Sequence, residues 1–302
     1  MEQTQDNRLF RWFLQRYRGD TVRVPMAPSN NRERPSRPEG RGAHSWLFCS
    51  QPGEPGGAST LFELARKSMT KMLLKPKRLI VHHHLGVGDH LICNGLVNYV
   101  LEAFALECLY LVCTKTNAPT VRFLYSDEPR ITILEFNWPK LSQQDFVYLA
   151  SNQLGVPVLT VVARASNNFD VEFYQSLGVP FDVRWSHFRL PAVMTSAQDF
   201  YRQHIRHERY CLVAAKSRVS EHDLKVDTTL PIYFVEPLTD SMLDWVEVIK
   251  HASEIHCIDS GFMHLVNSFD LTGTKLYYHD VGRGATFVTR HEWVHVQQRG
   301  PG

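Results

Sequence analysis

Residues Arg78 to Cys113 read RLIVHHHLGVGDHLICNGLVNYVLEAFALECLYLVC. A short β-rich run, Arg78 to His84, ends in Gly86-Val-Gly-Asp89. Apolar residues at helical spacing follow from Leu91 to Phe104, and Leu109 to Cys113 has the pattern of a buried strand. Strand, turn, helix, strand is the unit of a parallel sheet, because parallel neighbours need a crossover that is usually helical. The alternation continues through a helix-like stretch containing Val121 to Tyr125, a strand from Ile131 to Phe136 and another from Leu159 to Val162. It predicts a parallel sheet covered on both faces.

The pattern restarts after a polar helical segment, Ala197 to Glu208. Tyr210 to Ala215 and Ile232 to Val235 read as strands and Met242 to Lys250 as a helix. Glu254 to Asp259 is a strand, Gly261 opens a helix, and Lys275 to His279 is a last strand. Two such units predict an α/β body with two Rossmann-like lobes, residues 75–205 and 206–302, and a cleft between them. Residues 1–74 differ. Pro25 to Ser59 is rich in Pro, Gly, Asn and Arg with almost no apolar periodicity, so it reads as a flexible leader. The leader ends in an amphipathic helix from Leu61 to Leu74. Its piece Leu9 to Leu14 reads as a helix docking on the body or as disordered chain, with a weak membrane-surface anchor as the alternative.

A net charge of +2 makes no demand for a nucleic-acid partner or an acidic membrane. No run reaches the ~20 apolar residues of a membrane-spanning helix, and the first residues lack the apolar segment of a secretory signal. The expectation is a cytoplasmic protein whose membrane contact is at most peripheral. Six scattered cysteines, Cys49, Cys93, Cys108, Cys113, Cys211 and Cys257, match no common zinc or redox spacing and read as reduced core-filling residues.

Two segments join a strand to a helix where open α/β sheets bind ligands. In the first, Gly86 and Gly88 let the backbone turn tightly and approach a ligand. Asp89 at the helix start is either a cap for free N–H groups or a general base facing the cleft. His84, His90 and Asn94 flank it as candidates for lining the cleft. In the second, Asp259-Ser260-Gly261 precedes a helix whose first N–H groups, with the Ser260 hydroxyl, suit a phosphate. His264 lies one turn further on, within reach of a phosphate or ribose. The bland alternatives are N-capping and a satisfied helix histidine. His82, His83 and His84 have no nearby carboxylate–histidine or cysteine set to complete a tetrahedral site, so no metal is assigned to them. Asp170 and Glu172 read as helix caps, with a place flanking the cleft as the alternative.

Together, Gly-x-Gly-Asp89 and Asp259-Ser-Gly-x-x-His264-Leu resemble the heptosyltransferase-type glycosyltransferases of the GT-B fold. The similarity spans ~78–280 in order and spacing, and the late motif is its specific part. The resemblance implies a nucleotide-sugar donor as co-substrate, a glycan or lipid-linked glycan acceptor, and no further cofactor or metal. It makes Asp89 the catalytic base and gives Asp259, Ser260, Gly261 and His264 to the donor diphosphate. Lys216 or Arg218, after the first strand of the second lobe, would neutralise the leaving group in an inverting displacement. The loop Ser217-Arg-Val-Ser-Glu-His-Asp-Leu-Lys225 departs from the family pattern. That departure leaves room for a nucleotide- or sugar-binding module without turnover, and a sugar-nucleotide epimerase is a third reading.

Overall fold

The apolar runs become two separate, wholly parallel sheets. The computed structural model describes residues 76–137, 141–163, 168–217, 220–281 and 287–297, all within one compact unit, Glu54–Gly302. The expected leader, its helix Leu61 to Leu74, Cys49 and Arg218 lie outside the described residues.

In chain order the first part is β1 (Arg78–His82), α1 (Val87–Ile92), α2 (Asn94–Ala103), β2 (Cys108–Thr114), α3 (Ala118–Leu124), β3 (Ile131–Phe136), α4 (Gln143–Leu154) and β4 (Val158–Thr160). Three helices follow: α5 (Phe169–Gln175), α6 (Val183–Ser186) and α7 (Thr195–His204). The second part is β5 (Cys211–Ala214), β6 (Ile232–Phe234), a 3-10 turn (Met242–Trp245) running into α8 (Val246–His251), β7 (Glu254–Cys257), α9 (Gly261–Val266), β8 (Lys275–Asp280) and β9 (Val294–Gln297).

The sheet orders are β3-β2-β1-β4 and β6-β5-β7-β8-β9. In each, the chain runs outward on one side of its first strand and returns on the other. The switch points are therefore β1/β4 and β5/β7, and in open α/β sheets ligand sites lie beyond the carboxyl ends of such strands. The loop after β1 carries Gly86 to Asp89, the loop after β5 carries Lys216, and the turn after β7 carries Asp259 and Ser260. The α/β expectation and both turns are thus realised.

Local differences have local causes. The first helix starts at Val87 rather than Leu91, because Gly86 is extended at the N-cap and donates its N–H to Asp89 Oδ2 at 3.1 Å. Helix α4 was not anticipated. It is set by its ends: Ser142 Oγ accepts from Asp145 N, and Gly155 stops it in the left-handed region at φ 61°. Strand β9 also escaped notice, since a four-residue, half-exposed edge strand leaves little periodicity to read.

One cluster of buried apolar side chains runs through both sheets and the helices between them, including Leu79, Leu111, Phe173, Trp245, Leu265 and Tyr278. Burying each of the larger ones contributes about 1.5–3 kcal/mol. Cys93, Cys113, Cys211 and Cys257 are free thiols filling buried space, and Cys108 is free and half-buried. The opposite face of the second sheet holds a smaller cluster, Cys211, Val213 and Ala215 under Leu224, Val226 and Leu230.

Candidate functional site

Helices α1 and α9, one from each part, pack against each other at their starts. Their contact point is two glycines. A Cβ built on Gly88 would fall 3.1 Å from Gly261 Cα and 3.1 Å from His264 Cδ2. A Cβ on Gly261 would fall 3.2 Å from Gly88 N. Only residues without side chains let the two turns meet this closely. The contact brings Asp89, Asp259, Ser260 and His264 into one neighbourhood at the carboxyl ends of both sheets.

Asp89 is half-buried. Burial raises its carboxyl above the ordinary carboxylate value, and nearby His84 and the Gly86 N–H oppose the shift. Its cap bond leaves the second carboxylate oxygen, Oδ1, for other work. Ser260 is extended at the α9 N-cap, and its Oγ accepts from Met263 N at 3.4 Å. The hydroxyl hydrogen can still be donated. His264 is 4% exposed. Phe169 and Phe287 meet its ring edge-on at 5.9 and 5.6 Å. Burial, then the charge of Arg184, lowers its pKa to about 3, so the ring is neutral near pH 7. Its Nε2 lies 4.0 Å from Asp259 Oδ1, and its Nδ1 has no hydrogen-bond partner among the described residues.

The other candidates separate. His84 is exposed beside this turn, edge-on to Phe173 at 5.3 Å. His90 and Asn94 are corrected: both are fully buried and line no accessible surface. A residue one helical position past the turn points into the lobe, and His90 packs its ring on His83 at 4.4 Å. Asn94 Oδ1 accepts from Asn98 Nδ2 and from Arg189 N at 3.2 and 2.8 Å. Lys216 is held between carboxylates, with Nζ 2.9 Å from both oxygens of Glu236 and 3.1 Å from Glu221. Beside it, Lys216, Glu221, His222, Asp223 and Glu236 line a hollow of about 250 Å³. A wider depression of about 740 Å³, lined by Tyr277, Arg290 and Trp293 among others, lies along β8 and β9, away from the glycine contact. His82 is buried with its Nε2 against Gln143, and the three histidines form no metal-ligating group among the described residues.

Sequence reasoning missed what locks the two parts together. Asp170 is fully buried and takes Arg184 Nη1 at 2.5 Å on the same oxygen that accepts the N–H of Val288 at 2.8 Å. Asp170 is not the N-cap of its helix, a place taken by Asn168, and its burial keeps it off any open cleft surface. The segment from Val288 to His291 is tied to the end of α9, with Asn267 Nδ2 donating to Val288 O at 3.0 Å and Arg290 N donating to Asn267 Oδ1 at 2.7 Å. No periodicity in the sequence marks an ion pair fourteen residues apart.

No protein-family model matches this chain, and no curated protein does. Solved structures similar to it in three dimensions include the following three. A glycosyl transferase family 9 protein from Veillonella parvula is 11% identical, with 73% of this chain and 85% of that one covered and a TM-score of 0.49. The iron-containing dodecameric glycosyltransferase TibC from enterotoxigenic E. coli is also 11% identical, with 75% and 63% covered and a TM-score of 0.45. The E. coli ADP-heptose lipopolysaccharide heptosyltransferase II is 9% identical, with 74% and 90% covered and a TM-score of 0.44. At such low identity the chemistry has to be read from this chain's own residues.

Among the described residues, no helix is long and apolar enough to cross a membrane.

Proposed function

We propose that this chain is a glycosyltransferase that moves a sugar from a nucleotide-sugar donor to a hydroxyl of a glycan or lipid-linked glycan. The observation that carries the reading is the meeting of Gly88 and Gly261, which gathers Asp89, Asp259, Ser260 and His264 at the carboxyl ends of two parallel sheets. A base and a set of phosphate-directed donors on two facing turns suit a displacement at an anomeric carbon.

In the proposed reaction, Asp89 takes the proton of the acceptor hydroxyl as its oxygen attacks the anomeric carbon. The carbon–oxygen bond to the diphosphate breaks, the nucleoside diphosphate leaves with the electron pair, and the configuration inverts. The Ser260 hydroxyl and the N–H groups opening α9 receive the developing phosphate charge, and neutral His264 shapes the wall beside them. The hollow beside Lys216 suits the nucleoside, since carboxylates there can accept ribose hydroxyls. Lys216 reaches a phosphate only by leaving Glu221 or Glu236. The scheme uses no metal.

A second reading is a nucleotide- or sugar-binding module without turnover, and the double clamp on Lys216 favours it. A thermal-shift screen with ADP, GDP, UDP and CMP, with and without EDTA, tests both, followed by turnover of the matching nucleotide sugars. A nucleotide that binds the folded state raises Tm by mass action. Stabilisation regardless of EDTA, followed by turnover that Asp89→Asn removes, is the expected result. Binding without turnover establishes the module instead, and neither binding nor turnover ends both readings.

A further inference from the structure

At the opposite, amino-terminal edge of the second sheet lies a cluster that the transfer chemistry does not use. Strands β5 and β7 pair in parallel with Cys211 opposite Glu254. Glu254 and His256 alternate onto one face, so the Cys211 thiol, the Glu254 carboxylate and the His256 imidazole converge. One ligand atom from each lies within 4.8 Å of the other two. Cys211 is fully buried, His256 is 3% exposed, and the Glu254 side chain is 12% exposed.

The His256 ring is pre-oriented. It stacks on Tyr277 at 4.3 Å with an interplanar angle of 8°, and its Nδ1 lies 2.8 Å from His279 Nε2. Its other nitrogen, Nε2, is buried with no hydrogen-bond partner among the described residues. A histidine with one ring nitrogen fixed by a neighbour and the other left bare is the arrangement that metal-ligating histidines adopt.

We propose that Cys211, Glu254 and His256 form a structural site for a divalent transition-metal ion, with Zn²⁺ the best match. Thiolate, carboxylate and imidazole are all zinc donors. A thiolate and a carboxylate together balance the charge of a divalent ion. Tetrahedral ligands at ~2.0–2.3 Å from zinc sit roughly 3.5 Å apart, a spacing that small side-chain rotations can reach. A water completes the set. Binding releases the thiol proton to solvent. Thr228 Oγ1, which donates to Glu254 Oε2 at 2.7 Å, and Lys275 Nζ, 3.2 Å from Oε1, hold the carboxylate from outside. Thr228 belongs to the segment that lays Leu224, Val226 and Leu230 on this face. The ion would therefore pin that cover to the sheet, independently of any sugar transfer.

The test uses tag-free, full-length protein stripped with EDTA and titrated with Co²⁺. One equivalent should bind, with a thiolate-to-cobalt absorption band in the near ultraviolet and the strong visible bands of a tetrahedral site, and Zn²⁺ should displace it. Cys211→Ser should lose the near-ultraviolet band, and Cys113→Ser, remote in the first sheet, should keep it. Should Cys211→Ser fail to fold, His256→Gln gives the second measure, an affinity loss of at least about tenfold. Folded wild-type protein that takes up no stoichiometric Co²⁺ overturns the proposal, as does a band that survives in Cys211→Ser.

Discussion

Gly88 and Gly261 touch backbone to backbone, and a Cβ on either would come within 3.2 Å of the other's main chain. The two turns that hold the candidate chemistry are therefore spaced by the absence of side chains. Gly88→Ala presses a methyl onto Gly261 Cα and the buried His264 ring, neither of which is the free end of a flexible chain. A loss of about 1–3 kcal/mol is expected, together with weaker nucleotide stabilisation. Urea denaturation and the thermal-shift screen check the two effects separately.

Asp89→Asn keeps an acceptor oxygen for the Gly86 N–H, so the helix start should survive with little change in unfolding free energy. Transfer should fall by about 10²–10⁴. The pH dependence has a definite sign. Burial raises the Asp89 carboxyl, and a base works only when deprotonated. Turnover should therefore climb with pH through a midpoint above the ordinary value of 3.8. The pH–rate profile checks it, and a residual activity in Asp89→Asn with the same limb would clear Asp89 of the role.

Arg184→Met leaves the Asp170 carboxylate buried with, among the described residues, the Val171 and Val288 N–H groups. Breaking one partner of a buried pair costs about 3–5 kcal/mol. The variant with both charges removed, Asp170→Asn with Arg184→Met, should recover part of that loss. Chemical denaturation of the single and double variants measures the coupling.

Acid should destabilise the fold well above the carboxylate range. Burial lowers His82, His83 and His256 to about 4 and His264 to about 3, from an ordinary 6.5. Each unfolded histidine binds a proton before its folded counterpart does, so stability is fully present above pH 6.5 and drains as pH falls toward 4. Tm measured across that window should decline steadily. A flat profile would mean that these rings titrate as if exposed.

The turns that carry the candidate residues could be read in advance because they lie between regular elements. Gly86 to Asp89 and Asp259 to Gly261 each separate a strand-like run from a helical one, and such turns in a parallel sheet fall at its carboxyl edge. His90 and Asn94 could not be assigned that way. Whether a side chain just past a turn faces the cleft or the core depends on how the helix is rotated against its sheet, and here both face inward. Lys216 could be placed on the right loop, but not its partner Glu236, twenty residues away on the far side of β6.

The sequence by itself determined the alternation of strands and helices, the two runs of strands that form the two sheets and the location of the glycine-bearing turns, because periodicity and turn chemistry are local. Only the tertiary structure decided that Gly88 meets Gly261, that Asp170 joins Arg184 to the Val288 backbone, and that Cys211 faces Glu254 and His256. Those relationships follow from strand register and from how packed elements exclude water, and both are settled by contacts between residues far apart in the chain.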